Sequence, residues 1–464
     1  MKINFLKAAV VAVGVSMTTV SCSNDFVETK FYQDVEQAPL TSLNEVESFA
    51  RGMYTSMRAP AYYGRDYGLF AEVRSDEMYS TGAAGYYNTV SNYTMTSADA
   101  YSRDTYRQIY TAVAKANILI GTDVNGIKGT DPEKTGVKYH IGQAYAMRAL
   151  FFFDLLKLYG QKYTGGTLGI VTPLKYDPKA MQARGTIAQN EAQIEADFNT
   201  GLAMMIANAS GTGVDDNSKV DITINGVKAL MSRYYLYKKD YAKVRTLVNE
   251  IVGSGKFQVM PEPSYVGSWK STKQNNSIFE LAVGVAGSNS TDSWGYILNY
   301  DGYYNTVMRD ELYAEYDPND VRISDDMIVI DGEVYLNGKY PNLEGTDNIK
   351  ITRYEEVIFN GIEAELNGGS AAKALDYYKM IVSNRFKADD YVEPTSIDMA
   401  TFKVEKAKEL VGEGLRLWDL LRWGDPVPRP AGASTNPLLT AFPIPRVETD
   451  ISGTLVTSNP GYDN

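Results

Sequence analysis

The sequence predicts a mainly α-helical protein, an α-superhelix of tetratricopeptide-like helix pairs with long irregular loops and a few short β-hairpins. Three observations support this fold class. Apolar residues recur with helical spacing in several long segments. Two such segments are separated only by residues 238–240, as in a helical hairpin. Residues 253–350, about a fifth of the chain, alternate short strand-like runs with Asn, Asp and Gly turns.

The first residues have the pattern of an export signal. A short apolar run over residues 8–15 follows Lys2 and Lys7, and it is too short to span a bilayer. Small residues then lead to Cys22, the only cysteine in the chain. We therefore expect residues 1–21 to be a lipoprotein signal peptide and Cys22 to carry the lipid anchor. The alternative is a secreted protein with an unmodified cysteine near the cleavage site.

The composition excludes several classes of site. With one His and one Cys among 464 residues, the chain cannot build a Cys/His zinc site. A nucleophile–His–carboxylate relay would have to use His140, which we expect to open a buried helix as a capped or solvent-facing residue. The net charge of −12 argues against electrostatic binding of nucleic acid. The 35 tyrosines are suited both to cores and to wet recognition surfaces.

Helical periodicity extends along most of the chain. The predicted helices cover residues 43–57, 104–120, 139–159, 186–207, 226–237, 241–252, 351–367 and 371–384. The segment 139–159 is apolar nearly all round, so it should be a central buried helix. We place tetratricopeptide-like pairs within residues 104–252 and 351–424.

Three regions lack helical periodicity, and we expect them to be irregular. They are residues 60–100, 160–185 and the insert 253–350. Within the insert, residues 277–283, 327–330 and 333–336 are strand-like, and Asp331–Gly332 predicts a hairpin turn between the last two. Loops of this length are usually functional.

The stretch EKAKELVGEGLRLWDLLRWG, residues 405–424, has the pattern of one helix ended by Gly424. It would direct Leu410, Leu417 and Leu421 inward. Its polar and aromatic residues look like a functional cluster, but we expect them to fix this helix to the rest of the protein. They are Arg416, Trp418, Asp419, Arg422 and Trp423.

This stretch resembles the signature of the SusD/RagB family, the nutrient-binding surface lipoproteins of Bacteroidota. Further segments resemble the family in order: residues 72–76, 110–117, 142–160, 169–173, 317–322, 442–446 and 459–462. The resemblance covers nearly all of the mature chain, so we expect a single domain over residues 22–464.

The resemblance implies a protein without catalytic activity or cofactor, anchored by lipid in the outer membrane and facing the cell exterior. Family members capture oligosaccharides, or peptides in the RagB branch, and pass them to a SusC-like TonB-dependent transporter. Oligosaccharide capture is our first hypothesis and peptide capture the alternative. Two other functions are also compatible with the sequence. A glycoside hydrolase needs only two suitably spaced carboxylates. A structural assembly protein could use the tetratricopeptide-like surface to bind other proteins.

The resemblance also indicates which loops bind the ligand. Sugar rings stack on aromatic planes, while Asn, Asp and Arg satisfy their hydroxyls. The candidate ligand residues are Trp294, Tyr296, Tyr303, Tyr304 and Asn305 in one loop, Tyr86, Tyr87 and Asn88 in another, and Trp269. The alternative is that these aromatic residues only hold long loops to the helical body.

The sequence gives little indication of a metal site. Asp317, Asp320 and Asp325 supply oxygen atoms of the kind that calcium prefers. They lack EF-hand spacing, so we expect a solvated turn and no bound metal.

Overall fold

The computed structural model of the protein describes residues 38–452 and 455–462. The predicted signal segment and Cys22 therefore lie outside the described residues. Helix α1 (Leu43–Met57) has the predicted bounds, and the hydroxyl of its N-cap residue Ser42 accepts a hydrogen bond from the backbone N–H of Glu45.

Residues 60–100 are more regular than the sequence predicts. They contain a π-helical turn (Pro60–Gly64), helix α2 (Asp66–Glu72), strand β1 (Met78–Ser80) and the short helix α3 (Asn88–Ser91). The prediction of an irregular segment was wrong for α2 because its order comes from tertiary contacts. The hydroxyls of Tyr62, Tyr63 and Tyr67 all donate to the buried carboxylate of Asp154, at 2.6, 2.7 and 2.5 Å.

Three long helices follow, α4 (Ala100–Ile120), α5 (Asp131–Tyr159) and α6 (Ile187–Ala207). Helix α5 is buried along most of its length, which confirms the prediction of a central helix. It begins eight residues before the predicted start, because Thr130 and Glu133 form a capping box that the apolar pattern does not reveal.

Close packing and one ion pair join these helices. Gly142 of α5 faces Gly201 of α6, where an added Cβ on Gly201 would lie 2.6 Å from the carbonyl oxygen of Gly142. Nearby, the guanidinium of Arg148 forms a bidentate ion pair with Asp197 at 2.7 and 2.8 Å. It also donates a hydrogen bond to the side-chain oxygen of Asn117 in α4. A buried bidentate pair of this kind fixes the relative position of three helices.

The prediction for His140 was wrong. It lies inside α5 and is 8% exposed, neither opening the helix nor facing solvent. Its Nδ1 lies 2.8 Å from Oε1 of Gln143, and its Nε2 lies 3.9 Å from Glu47. The early start of α5 explains this difference.

The next helices are α7 (Ile224–Lys238), α8 (Tyr241–Gly253) and α9 (Glu262–Trp269). The loop between α7 and α8 has only two residues, so these helices form the predicted hairpin. Lys239 ends α7 in the left-handed conformation, at a φ of 56°.

Between residues 277 and 353 the chain forms short strands and two short α-helices. They are β2 (Ser277–Leu281), α10 (Trp294–Leu298), β3 (Thr306–Met308), α11 (Asp310–Tyr313), β4 (Val329–Ile330), β5 (Val334–Tyr335) and β6 (Ile349–Arg353). One antiparallel sheet has the order β1-β3-β5-β4, and β2 pairs with β6. The predicted hairpin at Asp331–Gly332 is confirmed, with Val329 opposite Tyr335.

Helices α12 (Tyr354–Leu366) and α13 (Ala371–Val382) form the other predicted pair. The predicted helical start at residue 351 was wrong, because residues 349–353 belong to β6 and pair with β2. Periodicity cannot separate a short buried strand from the helix that follows it directly.

The segment 405–424 is not one helix. It contains the end of α14 (Met399–Leu410) and all of α15 (Arg416–Trp423), and the last described helix is α16 (Arg446–Ser452). Gly412 and Gly414 break the helix with φ values of 80° and 77°. Gly414 approaches α2 so closely that an added Cβ would lie 2.6 Å from Cα of Gly68.

A buried ionic cluster joins α14 to the loops before it. The guanidinium groups of Arg322, Arg353 and Arg385 all contact the carboxylate of Glu409, which is fully buried. Burial by itself would raise the pKa of Glu409, but Arg385 and Arg353 outweigh it and hold that pKa well below its usual range.

The aspartates considered for calcium have other surroundings. Asp320 is buried and pairs with Arg322, whereas Asp317 and Asp325 are exposed. Among the described residues, no group of three or more His, Cys, Asp or Glu side chains could hold a metal ion.

The predicted fold class is confirmed: helix pairs dominate, and the strands are few and short. None of the helices within residues 38–452 and 455–462 is long and apolar enough to cross a membrane.

Candidate functional site

The two loops that the sequence singles out meet in the structure. Strand β1 pairs antiparallel with β3, with Met78 opposite Met308 and Ser80 opposite Thr306. The backbone N–H of Thr81 extends this pairing by donating to the carbonyl of Asn305 at 2.8 Å. Residues more than 200 positions apart therefore form one surface.

Two of the predicted ligand residues hold these loops in place. The buried amide of Asn305 donates to the hydroxyl of Ser80 at 3.1 Å and to the carbonyl of Tyr86 at 3.3 Å. Tyr87 is also buried, stacks on Tyr101 and donates to Asp66 at 2.9 Å. Their burial favours a structural role, and ligand contact by Tyr87 and Asn305 stays a prediction.

Five tyrosines lie at the surface around these loops, and we call them the tyrosine surface: Tyr86, Tyr296, Tyr300, Tyr303 and Tyr304. Tyr300 and Tyr304 are 39% and 48% exposed, and the other three are half-buried. The ring of Tyr303 lies 5.2 Å from that of Tyr86 and 4.7 Å from that of Tyr296. One ring thus joins the two loops, while Asn88 is exposed beside them.

Charged groups border the tyrosine surface. The guanidinium of Arg65 lies 5.1 Å from the centre of the Tyr86 ring and pairs with both Asp66 and Asp292. On the other side, Tyr300 donates to Asp331 at 2.7 Å. Half-exposed rings beside carboxylates and a guanidinium can bind a ligand that has both apolar faces and hydroxyl groups.

The predicted tryptophans lie elsewhere, in the wall of an interior cleft. We define the aromatic cleft by Tyr63, Tyr67, Trp269, Trp294 and Tyr340, and about 990 Å³ of space lies among its lining atoms, part of it continuous with solvent. None of the five residues of the tyrosine surface lines this cleft.

Trp294 is held tightly in the cleft wall. It is 8% exposed, its Nε1 donates to the carbonyl of Tyr63 at 2.9 Å, and its ring stacks on Tyr340 at 5.5 Å. Its other neighbour is Gly68, where an added Cβ would lie 2.2 Å from the indole. Because one face packs on Tyr340 and the ring edge meets Gly68, ligand contact by Trp294 stays a prediction that this geometry disfavours.

Trp269 is 5% exposed, and its surroundings are cationic. The charged groups of Lys350, Lys339 and Arg353 lie 4.4, 5.1 and 5.6 Å from its ring centre. Its ring lies 6.4 Å from that of Tyr340. The structure therefore places the predicted tryptophans in the cleft wall and Tyr86, Tyr296, Tyr303 and Tyr304 at the surface, whereas Tyr87 is buried.

Sequence reasoning missed Arg65, Tyr340 and Lys350. Arg65 follows a double tyrosine in the YYGRD segment and Tyr340 lies in the predicted insert, so both offered a weak signal. Lys350 offered none, because its position in the cleft comes from the pairing of β6 with β2.

The C-terminal cluster has the structural contacts that we expected. Arg416 forms a two-pronged ion pair with Asp76, and Arg422 pairs with Glu363 and Asp419. The indole of Trp423 also donates to Glu363, at 3.0 Å. These contacts fix α15 against the rest of the protein.

Sequence comparison with known families gives two matches. Residues 25–236 match a SusD-like family described as "Starch-binding associating with outer membrane", and residues 300–437 match the SusD family. No curated protein matches the chain.

Solved structures share the fold over almost the whole chain. A SusD superfamily protein from Bacteroides thetaiotaomicron VPI-5482 has a TM-score of 0.79 at 23% identity, covering 90% of this chain and 100% of its own. A putative sugar binding protein from Bacteroides vulgatus ATCC 8482 has a TM-score of 0.81 at 22% identity, covering 92% and 100%. Surface glycan-binding protein A from Bacteroides fluxus has a TM-score of 0.74 at 21% identity, covering 91% and 100%. These structures share the fold, and the two SusD-family matches, over residues 25–236 and 300–437, show that the chain belongs to the SusD family.

Proposed function

We propose that this protein captures oligosaccharides on the tyrosine surface and delivers them to a SusC-like TonB-dependent transporter. In this proposal Cys22 carries a lipid that anchors the protein in the outer membrane, facing the cell exterior. The protein binds its ligand without chemical turnover.

The family and the chemistry of the loops support this proposal. The matching family description names starch binding and the outer membrane, and two of the similar solved structures are named for sugar or glycan binding. Aromatic rings offer apolar faces to the C–H groups of a sugar ring. Asp292, Asp331 and Arg65 lie beside these rings, where they can accept from or donate to hydroxyl groups.

One observation carries the proposal: Tyr303 joins rings from two distant loops at a half-exposed position. Tyrosines needed only to hold loops would be buried with their hydroxyls bonded, as Tyr87 is. The tyrosine surface keeps its rings accessible, although exposing apolar area has no benefit for folding.

The test is binding of a panel of neutral oligosaccharides by calorimetry, with wild type and Tyr303→Ala. We expect wild type to bind at least one glycan class and the variant to bind it about tenfold or more weakly. Tyr176→Ala is the matched control, because Tyr176 is 42% exposed but lies outside the tyrosine surface. Equal affinities for both variants would contradict this site, and the absence of any glycan binding would contradict the proposed ligand.

The same purified wild type and variants are used to test peptide capture and catalysis. A peptide library replaces the glycan panel, and peptide binding lost in Tyr303→Ala would favour the RagB-like alternative. Incubation with the bound oligosaccharide should give no cleavage products. Turnover abolished by substituting a single carboxylate would replace the binding proposal with a hydrolase.

The transporter partner requires an experiment in cells. We expect wild type to copurify from outer membranes with a TonB-dependent transporter. The variant Cys22→Ser removes the lipid attachment site and should leave the outer-membrane fraction. If Cys22→Ser stays there after high-salt washing, the proposed lipid anchor is wrong.

A further inference from the structure

One cation in the aromatic cleft has no hydrogen-bond or ion-pair partner within the part of the chain that the structure describes. Four basic residues line the cleft, and three are paired: Lys157 with Asp154, Arg233 with Glu356, and Lys339 with Glu413, at 3.2, 2.7 and 2.7 Å. The fourth is Lys350, whose ammonium makes no hydrogen bond or ion pair with any residue in the described part of the chain. Its ammonium lies over the ring of Trp269, 4.4 Å from the centre.

A second donor of the same cleft is also free. The Nε1 atom of Trp269 is buried and has no hydrogen-bond partner among the described residues. A buried donor without an acceptor is costly, and such groups are rare in native structures. Trp269 and Lys350 both line the cleft and contact each other, so two unused donors lie together.

Nearby acidic groups do not neutralise Lys350. Glu280 lies opposite it on β2, where its Oε2 accepts from Asn348 and from the backbone of Lys273; its Oε1 has no hydrogen-bond partner among the described residues, and neither oxygen forms an ion pair with Lys350. Asp347 accepts from Asn342 at 3.3 Å. Burial lowers the pKa of Lys350 although Glu280 and Glu413 oppose that shift, as expected for an ammonium without a direct counter-ion.

We propose that the aromatic cleft binds one acidic group of a sugar, a carboxylate or a sulfate ester, through the ammonium of Lys350 and the indole N–H of Trp269. Such an oxyanion has several acceptor sites and can accept from both donors at once. This proposal rests on the proposed function for its ligand class. The chain's net charge of −12 disfavours long polyanions, so the cleft takes a single acid group on an otherwise neutral glycan.

The test uses three small probes: methyl glucuronide, glucose 6-sulfate and methyl glucoside. Binding is measured by calorimetry with wild type and with Lys350→Met, which keeps side-chain length and removes the charge. We expect one acidic probe to bind wild type, the neutral probe to bind at least tenfold more weakly, and Lys350→Met to lose about tenfold or more in affinity for the acidic probe. Which acidic probe binds decides between a carboxylate and a sulfate.

Lys270→Met is the matched control, because Lys270 is exposed at the end of α9, next to Trp269, and lies outside the cleft lining. It should bind the acidic probe like wild type. Lys350→Arg should restore most of the affinity, and Trp269→Phe should weaken binding severalfold because it removes the indole N–H together with the five-membered ring. Lys350→Met should also unfold at the same temperature as wild type or a higher one, because it removes a half-buried charge that has no ion-pair partner among the described residues.

The proposal is overturned if neither acidic probe binds, or if Lys350→Met and Lys270→Met bind the acidic probe equally. The outcome is distinguishable from failure of the proposed function. Binding of neutral oligosaccharides depends on Tyr303, whereas binding of the acidic probes must be unchanged in Tyr303→Ala. Loss of acidic-probe binding in Tyr303→Ala would place the site on the tyrosine surface and overturn the assignment to the cleft.

Discussion

The tyrosine surface and the aromatic cleft use similar rings for different purposes. In the cleft, Tyr63 and Tyr67 donate to Asp154, and Tyr340 donates to the carbonyl of Gly412 at 2.6 Å. On the surface, the hydroxyls of Tyr296 and Tyr304 have no hydrogen-bond partner among the described residues. The comparison teaches that hydroxyl acceptors accompany the burial of the cleft tyrosines, whereas the rings of the tyrosine surface stay exposed or half-buried even where a hydroxyl is bonded, as in Tyr300.

The two regions should therefore respond differently to substitution. Changes behind the cleft remove buried partners and should lower the free energy of unfolding. Changes on the tyrosine surface should lower ligand affinity and leave the fold almost unaffected. The following four experiments test this difference.

The largest effect is expected for Asp154→Asn. The wild-type carboxylate accepts from three tyrosine hydroxyls and pairs with Lys157, and all of these groups are buried. The side-chain amide of the variant carries no charge, so the buried ammonium of Lys157 is left without an ion-pair partner. The free energy of unfolding should therefore fall by about 4 kcal/mol. Urea denaturation measures this change.

The control is Asp331→Asn, which alters the exposed acceptor of Tyr300 and should change stability by less than about 0.5 kcal/mol. Similar losses in the free energy of unfolding in both variants would contradict the expected difference between the cleft and the tyrosine surface.

The next effect is a pH dependence behind the cleft. Burial raises the pKa of Glu72 to about 7, although the backbone N–H groups of Gly414 and Gly412 oppose that shift. Between pH 4.5 and 7 the folded protein keeps this proton and the unfolded chain releases it, so wild-type stability falls as the pH rises through that window. Glu72→Gln cannot release a proton, and this loss, about 3 kcal/mol over the window, should largely disappear. Denaturation at several pH values measures it.

The control for that experiment is Glu344→Gln, since Glu344 is exposed. It should keep the wild-type pH dependence. Glu77, which is buried near Glu72 and whose pKa is also raised by burial, stays titratable in both variants, so a smaller slope is expected to remain. A Glu72→Gln variant with the full wild-type slope would show that Glu72 is ionised in the folded protein.

A smaller effect is expected for Gly68→Ala. The new Cβ would lie 2.2 Å from the ring edge of Trp294, so the indole must shift from its place against Tyr340, at about 2 kcal/mol of stability. Tryptophan fluorescence should change as well, while glycan binding at the tyrosine surface stays the same. Gly52→Ala, in open space on α1, is the control and should be neutral or slightly stabilising. Weaker glycan binding in Gly68→Ala would show that the two regions are coupled.

The smallest effect on stability is expected for Tyr304→Gly. Tyr304 has a φ of 40°, which glycine adopts more easily, so relief of strain offsets the flexibility that glycine adds to the unfolded chain. Stability should change by about 0.5 kcal/mol or less, while glycan affinity falls because the 48% exposed ring is removed. At Tyr300, where φ is not positive, glycine should be the more destabilising of the two. Thermal unfolding and calorimetry on both variants give the comparison.

Part of the candidate site was predictable from the sequence. Two tyrosine-rich loops stood out by composition, and the structure brings them together at Tyr86 and Tyr303. The sequence could not show that Trp294 and Trp269 belong to a different place, because nothing local reveals that Gly68 and Tyr340 cover the indole of Trp294. It also could not separate the ring of Tyr87 from that of Tyr86, since adjacent residues at a left-handed turn face different surroundings.

The sequence by itself determined most of the long helices, the hairpin at Asp331–Gly332, the family and the two loops, because these depend on periodicity, turn residues and the order of motifs along the chain. Only the tertiary structure decided where β6 ends and α12 begins, that His140 is inside a helix, and which rings are exposed. Those features depend on partners far away in the chain, such as β2 for β6 and Asp154 for the tyrosines of residues 62–67. Lys350 is the clearest case, because its neighbours in sequence give no reason to single it out. Only the folded structure shows that its ammonium lies in the cleft, over Trp269, without an ion-pair partner among the described residues.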